Sequence, residues 1–177
     1  SCGNSASCCF TVTIREEQPC DEKNVACMKF EILKITKDAG QNHTYTVRAT
    51  NNCTNKMIWT AVQIPDGLVA DAPLNNAMFT TPDGRNYIVR NPNFSPFYSV
   101  RFKSTTDSIS GGQSDVFHYT LPAQSGNPNN IHIVSGLSGN VTYEAHMNTF
   151  NCPVTVLKPA PDVSRSPEQT FRNEAAR

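Results

Sequence analysis

One stretch of the chain, residues 43–68, constrains the fold more than any other. In its first part, Tyr45, Val47 and Ala49 share one face of an extended chain, and polar residues occupy the other face. Such strict alternation predicts a half-buried β-strand. A second strand is predicted over residues 57–64, after a polar turn, and a Pro-Asp-Gly corner then reverses the chain. This order of strand, turn, strand and corner is typical of an all-β sandwich.

The rest of the chain carries the same signals. Residues 78–89 predict a hairpin, because a Pro-Asp-Gly sequence connects two apolar runs. Residues 28–37 predict a strand with a bulge or a change of buried face. Strands recur about every 10–14 residues without helical periodicity, and that spacing is typical of a sandwich or barrel.

We therefore predict an all-β, immunoglobulin-like antiparallel β-sandwich with irregular N-terminal and C-terminal extensions. A chain of 177 residues accommodates one such domain. Residues 1–14 are predicted to be a Cys-rich segment that can act as a donor strand. Residues 15–158 are predicted to form the sandwich, and residues 159–177 a Pro-containing polar tail or linker.

The stretch Tyr45-Thr46-Val47, followed by Asn51 and by Ile64-Pro65-Asp66-Gly67-Leu68, carries a resemblance. It resembles bacterial extracellular immunoglobulin-like modules of the "conserved repeat domain" type, in which a Tyr-Thr-Val strand precedes an Asn turn and a strand ending in Leu/Ile-Pro-x-Gly-Leu. The chain departs from that pattern at Cys53, where a longer linker replaces the usual short turn. The resemblance implies a non-catalytic module of a secreted or surface-anchored protein, often an adhesin or filament. It identifies no functional residue.

Charge and hydropathy restrict the partners. The 15 basic and 15 acidic residues balance, and no basic run is present, so neither nucleic acid nor an anionic membrane is expected as the main partner. No apolar run approaches the roughly 18 residues that a membrane span needs. No GxSxG nucleophile motif occurs. We expect no enzymatic activity and no cofactor.

Cysteine content indicates the compartment. Seven cysteines are present: Cys2, Cys8, Cys9, Cys20, Cys27, Cys53 and Cys152. They lack the paired CxxC units of zinc sites, so an oxidising, extracellular setting with up to three intrachain disulfides is predicted. Cys20–Cys27 would close a short loop, and Cys53–Cys152 would join two distant strands. Because seven is odd, one cysteine is either a buried free thiol or a link to another chain.

Three histidines raise the hypothesis of a metal site. His118, His132 and His146 are spaced 14 residues apart, each on the polar phase of a predicted strand. Symmetric hairpins would align them on one outward sheet face, with Glu144 placed to orient a ring. Imidazoles on adjacent strands bind zinc or copper, although a straight row of ligands converges poorly on one ion. The alternative is that they are ordinary outward polar residues or part of a subunit contact.

Aromatic residues suggest a carbohydrate-binding module as an alternative function. The residues Tyr87, Phe94, Phe97 and Tyr98 surround a predicted loop and would form a platform, whereas Trp59 lies in a strand that is expected to be buried. The competing interpretation is that these residues are core and hairpin aromatics. Asn-x-Ser/Thr triplets at Asn42, Asn52 and Asn140 are candidate glycosylation sites if the chain is made in a eukaryotic secretory pathway. A fourth triplet, at Asn93, is followed by Pro96 and is a poorer acceptor.

The N-terminal segment suggests how copies would associate. Phe10, Val12 and Ile14 alternate with polar residues, and a charged, Pro-containing loop follows them. Such a strand can complete the sheet of a neighbouring chain, or it can be the domain's own first strand. We therefore predict a secreted, non-catalytic structural or adhesive module of the cell surface. It would be a self-assembling filament or pilus-like subunit, or would contact neighbouring domains of a larger surface protein.

Overall fold

A computed structural model describes residues 18–158 of the chain. Several predictions concern residues outside this range and stay predictions. They are the cysteines Cys2, Cys8 and Cys9, the assembly strand Phe10, Val12 and Ile14, and the polar tail 159–177.

Strands make up most of the described chain, and they pack as two sheets, which confirms the predicted all-β antiparallel sandwich. In residues 18–158 the strands are β1 Asp21–Val25, β2 Met28–Lys37, β3 His43–Asn51, β4 Met57–Gln63, β5 Met78–Thr80, β6 Asn86–Asn93, β7 Ser99–Ser104, β8 Gln113–Leu121, β9 Asn130–Leu137, β10 Val141–Asn148 and β11 Val154–Val156. A short 3-10 turn, Ala123–Ser125, lies between β8 and β9.

The two sheets have five and six strands. The five-stranded sheet has the order β1-β2-β3-β8, and β11 adds to β2 beside β1. The six-stranded sheet has the order β10-β9-β4-β7-β6-β5. Every pairing is antiparallel except that of β11, which runs parallel to β2. β3 and β4, although adjacent in sequence, lie in different sheets, so the polar turn between them crosses the sandwich.

A buried asparagine holds this crossing in place. Asn51 ends β3, and its side-chain amide donates to the carbonyl oxygens of Asn55 and Ile109, each at 2.8 Å. Its side-chain oxygen accepts from the backbone N–H of Cys53 at 2.9 Å. These bonds satisfy backbone groups that a turn would otherwise leave unpaired inside the protein.

The core lies between the sheets and is filled by the inward residues of both. Tyr45, Val47 and Ala49 of β3 are buried, as the alternation predicts. Tyr45 stacks on Tyr119 at 5.2 Å between ring centroids. A second aromatic group forms where β5 and β6 meet β7 and β8. It consists of Phe79, Tyr87, Phe102 and Phe117, with centroids 4.9–6.0 Å apart.

The bulge predicted in β2 is present. The register of β2 against β3 shifts between Ile32 and Lys34. Leu33 is the extra residue, so Ile35 returns to the core face that Phe30 and Ile32 occupy. A bulge, and not a change of buried face, therefore explains the broken alternation.

One strand was not predicted, and another is longer than predicted. β1 has the sequence DEKNV, and none of its residues is fully buried. An edge strand buries little on either face, so it carries no apolar alternation. β6 also continues through Asn93, where a loop was predicted, because a register shift between Arg90 and Asn93 accommodates the proline.

The disulfides differ from the predicted pairs. Cys20 bonds Cys152, and Cys27 bonds Cys53, with Cα–Cα distances of 5.0 and 5.1 Å. The predicted Cys20–Cys27 bridge is wrong because β1 lies between the two residues. An extended strand of that length separates them by roughly 20 Å, far beyond disulfide reach.

Strand register explains the observed pairs. Cys27 precedes Met28, whose register partner is Asn51, two residues before Cys53. This pairing brings Cys27 and Cys53 to the same end of the five-stranded sheet. The predicted Cys53–Cys152 bridge is wrong because Cys152 leads into β11, on the opposite side of β2 from β3.

Candidate functional site

The outer surface of the six-stranded sheet combines aromatic and basic side chains. Trp59 and Ala61 of β4 have the phase opposite to the core residue Val62, so they point outward. We call this surface the Trp59 face. Its members, placed by register on four adjacent strands, are Trp59, Ala61, Ile88, Arg90, Arg101, Lys103, Val134 and Gly136.

Trp59 is held flush against the sheet by the absence of a side chain on the neighbouring strand. Gly136 is its register partner on β9. A Cβ at Gly136 would lie only 2.2 Å from Cε2 of the indole. The ring therefore occupies the space above Gly136, and Trp59 is half-buried on the outside of the sheet. The strand that carries Trp59 is largely buried, as expected, but Trp59 itself has the outward phase and is only half-buried.

Arg101 lies over this indole. Its guanidinium carbon is 4.4 Å from the centroid of the Trp59 ring, within the range of a cation–π contact. Its Nε atom is buried and has no hydrogen-bond partner. Burial lowers the pKa of Arg101 from its ordinary value. The contact with the indole therefore holds the Arg101 guanidinium in place, while the Nε donor of Arg101 stays unpaired.

Two further cations flank Arg101. Arg90 on β6 is its direct register partner, and Lys103 follows two residues later on β7, opposite Trp59. Both are exposed. Arg90 donates to the side chain of Asn76. Ile88, Arg90, Lys103, Ser104 and Thr105 line a shallow hollow of about 380 Å³ beside these cations.

Sequence reasoning did not single out these basic residues. Arg101 and Lys103 alternate with Val100 and Phe102, which are buried. That alternation places both cations on the outer face, but it does not place Trp59 or Arg90 beside them. The position of β7 between β4 and β6 does so.

The predicted row of three histidines is broken. His132 and His146 are register partners, as predicted, and their rings stack with centroids 4.2 Å apart. Nε2 of His132 lies 2.9 Å from a carboxylate oxygen of Glu144, which fulfils the predicted orienting contact. His118 is not part of the row, because β8 pairs with β3 in the other sheet, where His118 contacts Phe79.

The hypothesis of a three-histidine metal site therefore loses its geometry. The loop before β9 was expected to close a hairpin with β8, but it crosses between the sheets instead. Within residues 18–158, no group of three or more His, Cys, Asp or Glu residues is arranged to hold a metal ion.

The predicted aromatic platform is only partly at the surface. Tyr87 is fully buried, and its hydroxyl donates to Asp115, so it belongs to the core. Phe94 is 75% exposed and packs edge-on against Tyr98. Phe97 stacks on His132 at 4.4 Å. The three remaining aromatics thus pack against each other or a histidine and do not form one flat surface.

The outer surface of the five-stranded sheet is different in character. Glu31 of β2 is 2% exposed and accepts two hydrogen bonds from Arg48 on β3, at 2.6 and 2.9 Å. Lys29 lies 3.0 Å from the same carboxylate. Burial by itself would raise the pKa of Glu31, but the hydrogen bonds from these cations outweigh it and lower the pKa. We call this surface the Glu31 face.

A second buried carboxylate lies at the rim of the sandwich. Asp115 accepts hydrogen bonds from Thr81 and Arg85, each at 2.9 Å, and from the hydroxyl of Tyr87. Burial, together with the hydrogen bond to Asp115, raises the pKa of Tyr87 well above its ordinary value. Because these donors all bond to Asp115, the carboxylate links β8 to β6. It is therefore not available as a free acid or base.

The strand β10 forms an edge of the six-stranded sheet. Among the described strands it pairs only with β9. The chain enters the sandwich beside its end: the backbone N–H of Asn148 donates to the carboxylate of Asp21 at 2.7 Å. The Cys20–Cys152 disulfide fixes the same corner. Cys20 and β1 therefore lie beside this end of β10.

The candidate glycosylation sites differ in accessibility. Asn52 and Asn140 are exposed, Asn140 in the turn between β9 and β10. The side-chain amide of Asn42 donates to Asp38, and its oxygen accepts from the backbone of Ala123 at 3.1 Å. A glycan on Asn42 would have to break these contacts.

No helix in residues 18–158 is long and apolar enough to cross a membrane. Comparison with known proteins adds no identity: neither the scan against family models nor the search of curated proteins found a match to this chain. The resemblance to the bacterial repeat modules therefore stays a prediction.

Proposed function

We propose that the chain is a secreted, non-catalytic structural or adhesive module of the cell surface, and that copies assemble by strand addition. A compact sandwich with two disulfides among the described cysteines is compatible with an extracellular structural role. Its two extensively hydrogen-bonded sheets suit a module that bears load and does not need to open.

The edge of β10 that has no second ladder partner carries the proposal, although β1 lies near it and Asp21 already accepts from the backbone N–H of Asn148. The edge spans eight residues, from Val141 to Asn148, and β9 is its only described ladder partner. An edge strand has a row of N–H and C=O groups on which another chain can pair. In the proposed assembly, residues 10–14 of one copy would pair with this edge of another copy.

The alternating side chains Phe10, Val12 and Ile14 match what an added strand requires. One face of the added strand would continue the inward row that Tyr143 and Ala145 occupy on β10. Tyr143 is only half-buried, so an apolar neighbour would bury it further. Cys2, Cys8 and Cys9 would then be available to lock neighbouring copies covalently.

The proposal is tested by gel filtration of the full chain against a variant that lacks residues 1–14. We expect the full chain to form large assemblies and the deletion variant to remain monomeric. A triple variant, Cys2→Ser with Cys8→Ser and Cys9→Ser, separates the two contributions: it should still assemble but lose the ladder on non-reducing gels.

A peptide of residues 10–17 provides a sharper test. It should inhibit assembly of the full chain, and the same peptide with Val12→Asp should not, because a charge would face the apolar row. A full chain that remains monomeric at all concentrations would contradict assembly. The alternative function, carbohydrate binding, was predicted on a platform of four aromatic residues. Because Tyr87 is buried, that prediction now depends on Phe94, Phe97 and Tyr98.

A further inference from the structure

We infer that the Trp59 face binds an anionic polysaccharide, with Arg90, Arg101 and Lys103 contacting its carboxylate or sulfate groups. This inference goes beyond the proposed assembly, because it concerns interior strands of the six-stranded sheet and not its edge. The ligand class follows from charge, from an unsatisfied donor and from the shape of the surface.

The first argument is charge. Arg90 and Arg101 are direct register partners, and like charges at directly opposed positions destabilise a sheet. Lys103 adds a third positive charge on the same strand as Arg101. Among the described residues, none of the three makes an ion pair with an acidic side chain. The Glu144 carboxylate shares this sheet surface, but β10 is three strand spacings from β7, or roughly 14 Å.

The second argument is the state of Arg101. Its Nε atom is buried without a partner, so bonds to a ligand would come from the terminal nitrogens of the guanidinium. The contact with Trp59 holds the guanidinium in one place, so a ligand would not have to order a flexible side chain. A guanidinium fixed in this way suits a planar carboxylate or a sulfate, to which it can donate more than one hydrogen bond.

The third argument distinguishes a polysaccharide from a peptide. β4, β6 and β7 each have neighbours on both sides, so no backbone edge is free for an extended peptide to pair with. The recognition groups are instead side chains on an outer sheet surface. The adjacent hollow adds Ser104 and Thr105, and Ile88 adds an apolar side chain. Sugars offer ring hydroxyls and C–H faces to such groups, and acidic sugars also offer the negative charge.

Because the net charge of the protein is balanced, binding of a polyanion would be confined to the Trp59 face. The formal net charge is +0, so a polyanion has no general attraction to the molecule. Binding would depend on these three cations, and it would weaken as salt screens them.

The test measures binding of the full chain to dextran sulfate, to polygalacturonate and to uncharged dextran by isothermal titration calorimetry. We expect binding to at least one of the charged polymers and none to dextran; which polymer binds distinguishes sulfate from carboxylate recognition. The variant Arg90→Gln/Lys103→Gln should weaken binding about tenfold, since it removes two charge-assisted contacts at an exposed surface.

The matched control is Lys34→Gln/Lys37→Gln, which removes the same charge from β2 in the other sheet. It should change the affinity by less than about twofold. Thermal unfolding by circular dichroism verifies that both variants fold, and gel filtration verifies that they are compared in the same state of association. Failure to assemble would leave this inference intact, since a monomer carries the complete face.

Three results would overturn the inference. The first is that wild-type protein binds neither charged polysaccharide. The second is that both double variants lose the same affinity. The third is that poly-glutamate binds as tightly as the polysaccharides and loses affinity equally in Arg90→Gln/Lys103→Gln, which would identify a general polyanion surface.

Discussion

The two outer faces of the sandwich treat charge in opposite ways. On the Glu31 face, a buried carboxylate is matched by two cations within 3.0 Å. On the Trp59 face, Arg90 and Arg101 are opposed without an acid between them, and an indole supports the guanidinium. Charge on the first face serves the stability of the fold. Charge on the second face is left available, which is the property expected of a binding surface.

The comparison predicts its largest contrast for removal of one arginine from each face. Arg48→Ala leaves the buried Glu31 carboxylate with one cation instead of two, and should reduce the free energy of unfolding by about 3 kcal/mol. Arg101→Ala removes a cation–π contact near the surface and should cost about 1 kcal/mol. Urea unfolding of the two variants measures the difference. Equal losses would mean that both arginines have the same structural role.

A somewhat smaller effect is expected at the floor of the Trp59 face. Gly136→Ala places a methyl group where the indole lies and should destabilise the fold by about 2 kcal/mol. Because the displaced indole becomes more exposed, Trp59 fluorescence should shift to longer wavelength. In a Trp59→Ala background the same substitution no longer meets the indole. If it costs as much there, the steric explanation is wrong.

Lowering the pH should reduce the stability contributed by the Glu31 face in particular, because it protonates Glu31. Its folded pKa lies below the ordinary value of 4.5, so the folded protein binds fewer protons than the unfolded chain in that range. The stability that Glu31 contributes is complete above pH 4.5 and is lost as the pH falls through its lower folded pKa. Urea midpoints below pH 5 should therefore depend less on pH in Glu31→Gln than in wild type.

His43 also titrates in acid. Burial lowers the pKa of His43 from its ordinary value of 6.5, so its contribution to stability is lost as the pH falls below that value. Wild type and Glu31→Gln share His43, so the difference between them reports Glu31. An unchanged pH dependence below pH 5 in Glu31→Gln would mean that the Arg48 and Lys29 contacts contribute nothing to acid stability.

The smallest effect is expected at Glu144, on β10 beside the Trp59 face. Glu144 is 66% exposed and bonds to His132, so Glu144→Gln should change the free energy of unfolding by no more than about 0.5 kcal/mol. A loss above about 2 kcal/mol would show that the His132–His146 stack depends on this carboxylate. Thermal unfolding at low and high salt distinguishes a screened surface pair from a structural one.

Local sequence patterns predicted most strands but few of their neighbours. The alternation in β3 and the Pro-Asp-Gly hairpin of β5 and β6 hold in the structure, because both depend on residues close together in the chain. β1 was missed because an edge strand needs no buried alternation. The disulfide pairs were wrong because they depend on which strands β2 lies between, and loop length carries no information on that.

The candidate binding face illustrates the same limit. The outward phase of Arg101 and Lys103 is readable from the buried residues between them. Their proximity to Trp59 and Arg90 is not, because β7 must lie between β4 and β6 to bring these side chains together. His118 is the opposite case. Its regular spacing from His132 in the sequence suggested that the two are neighbours, but its strand belongs to the other sheet.

The sequence by itself determined the fold class, because the period of apolar residues decides between helix and strand through side-chain geometry alone. It also determined which side chains point inward along strands with strict alternation, such as β3. Only the tertiary structure decided the sheet order, the Cys20–Cys152 and Cys27–Cys53 bonds, and the placement of Arg90, Arg101 and Lys103 on the same face as Trp59. These depend on strands that are distant in sequence but adjacent in space, where pairing is chosen by the packing of the whole core.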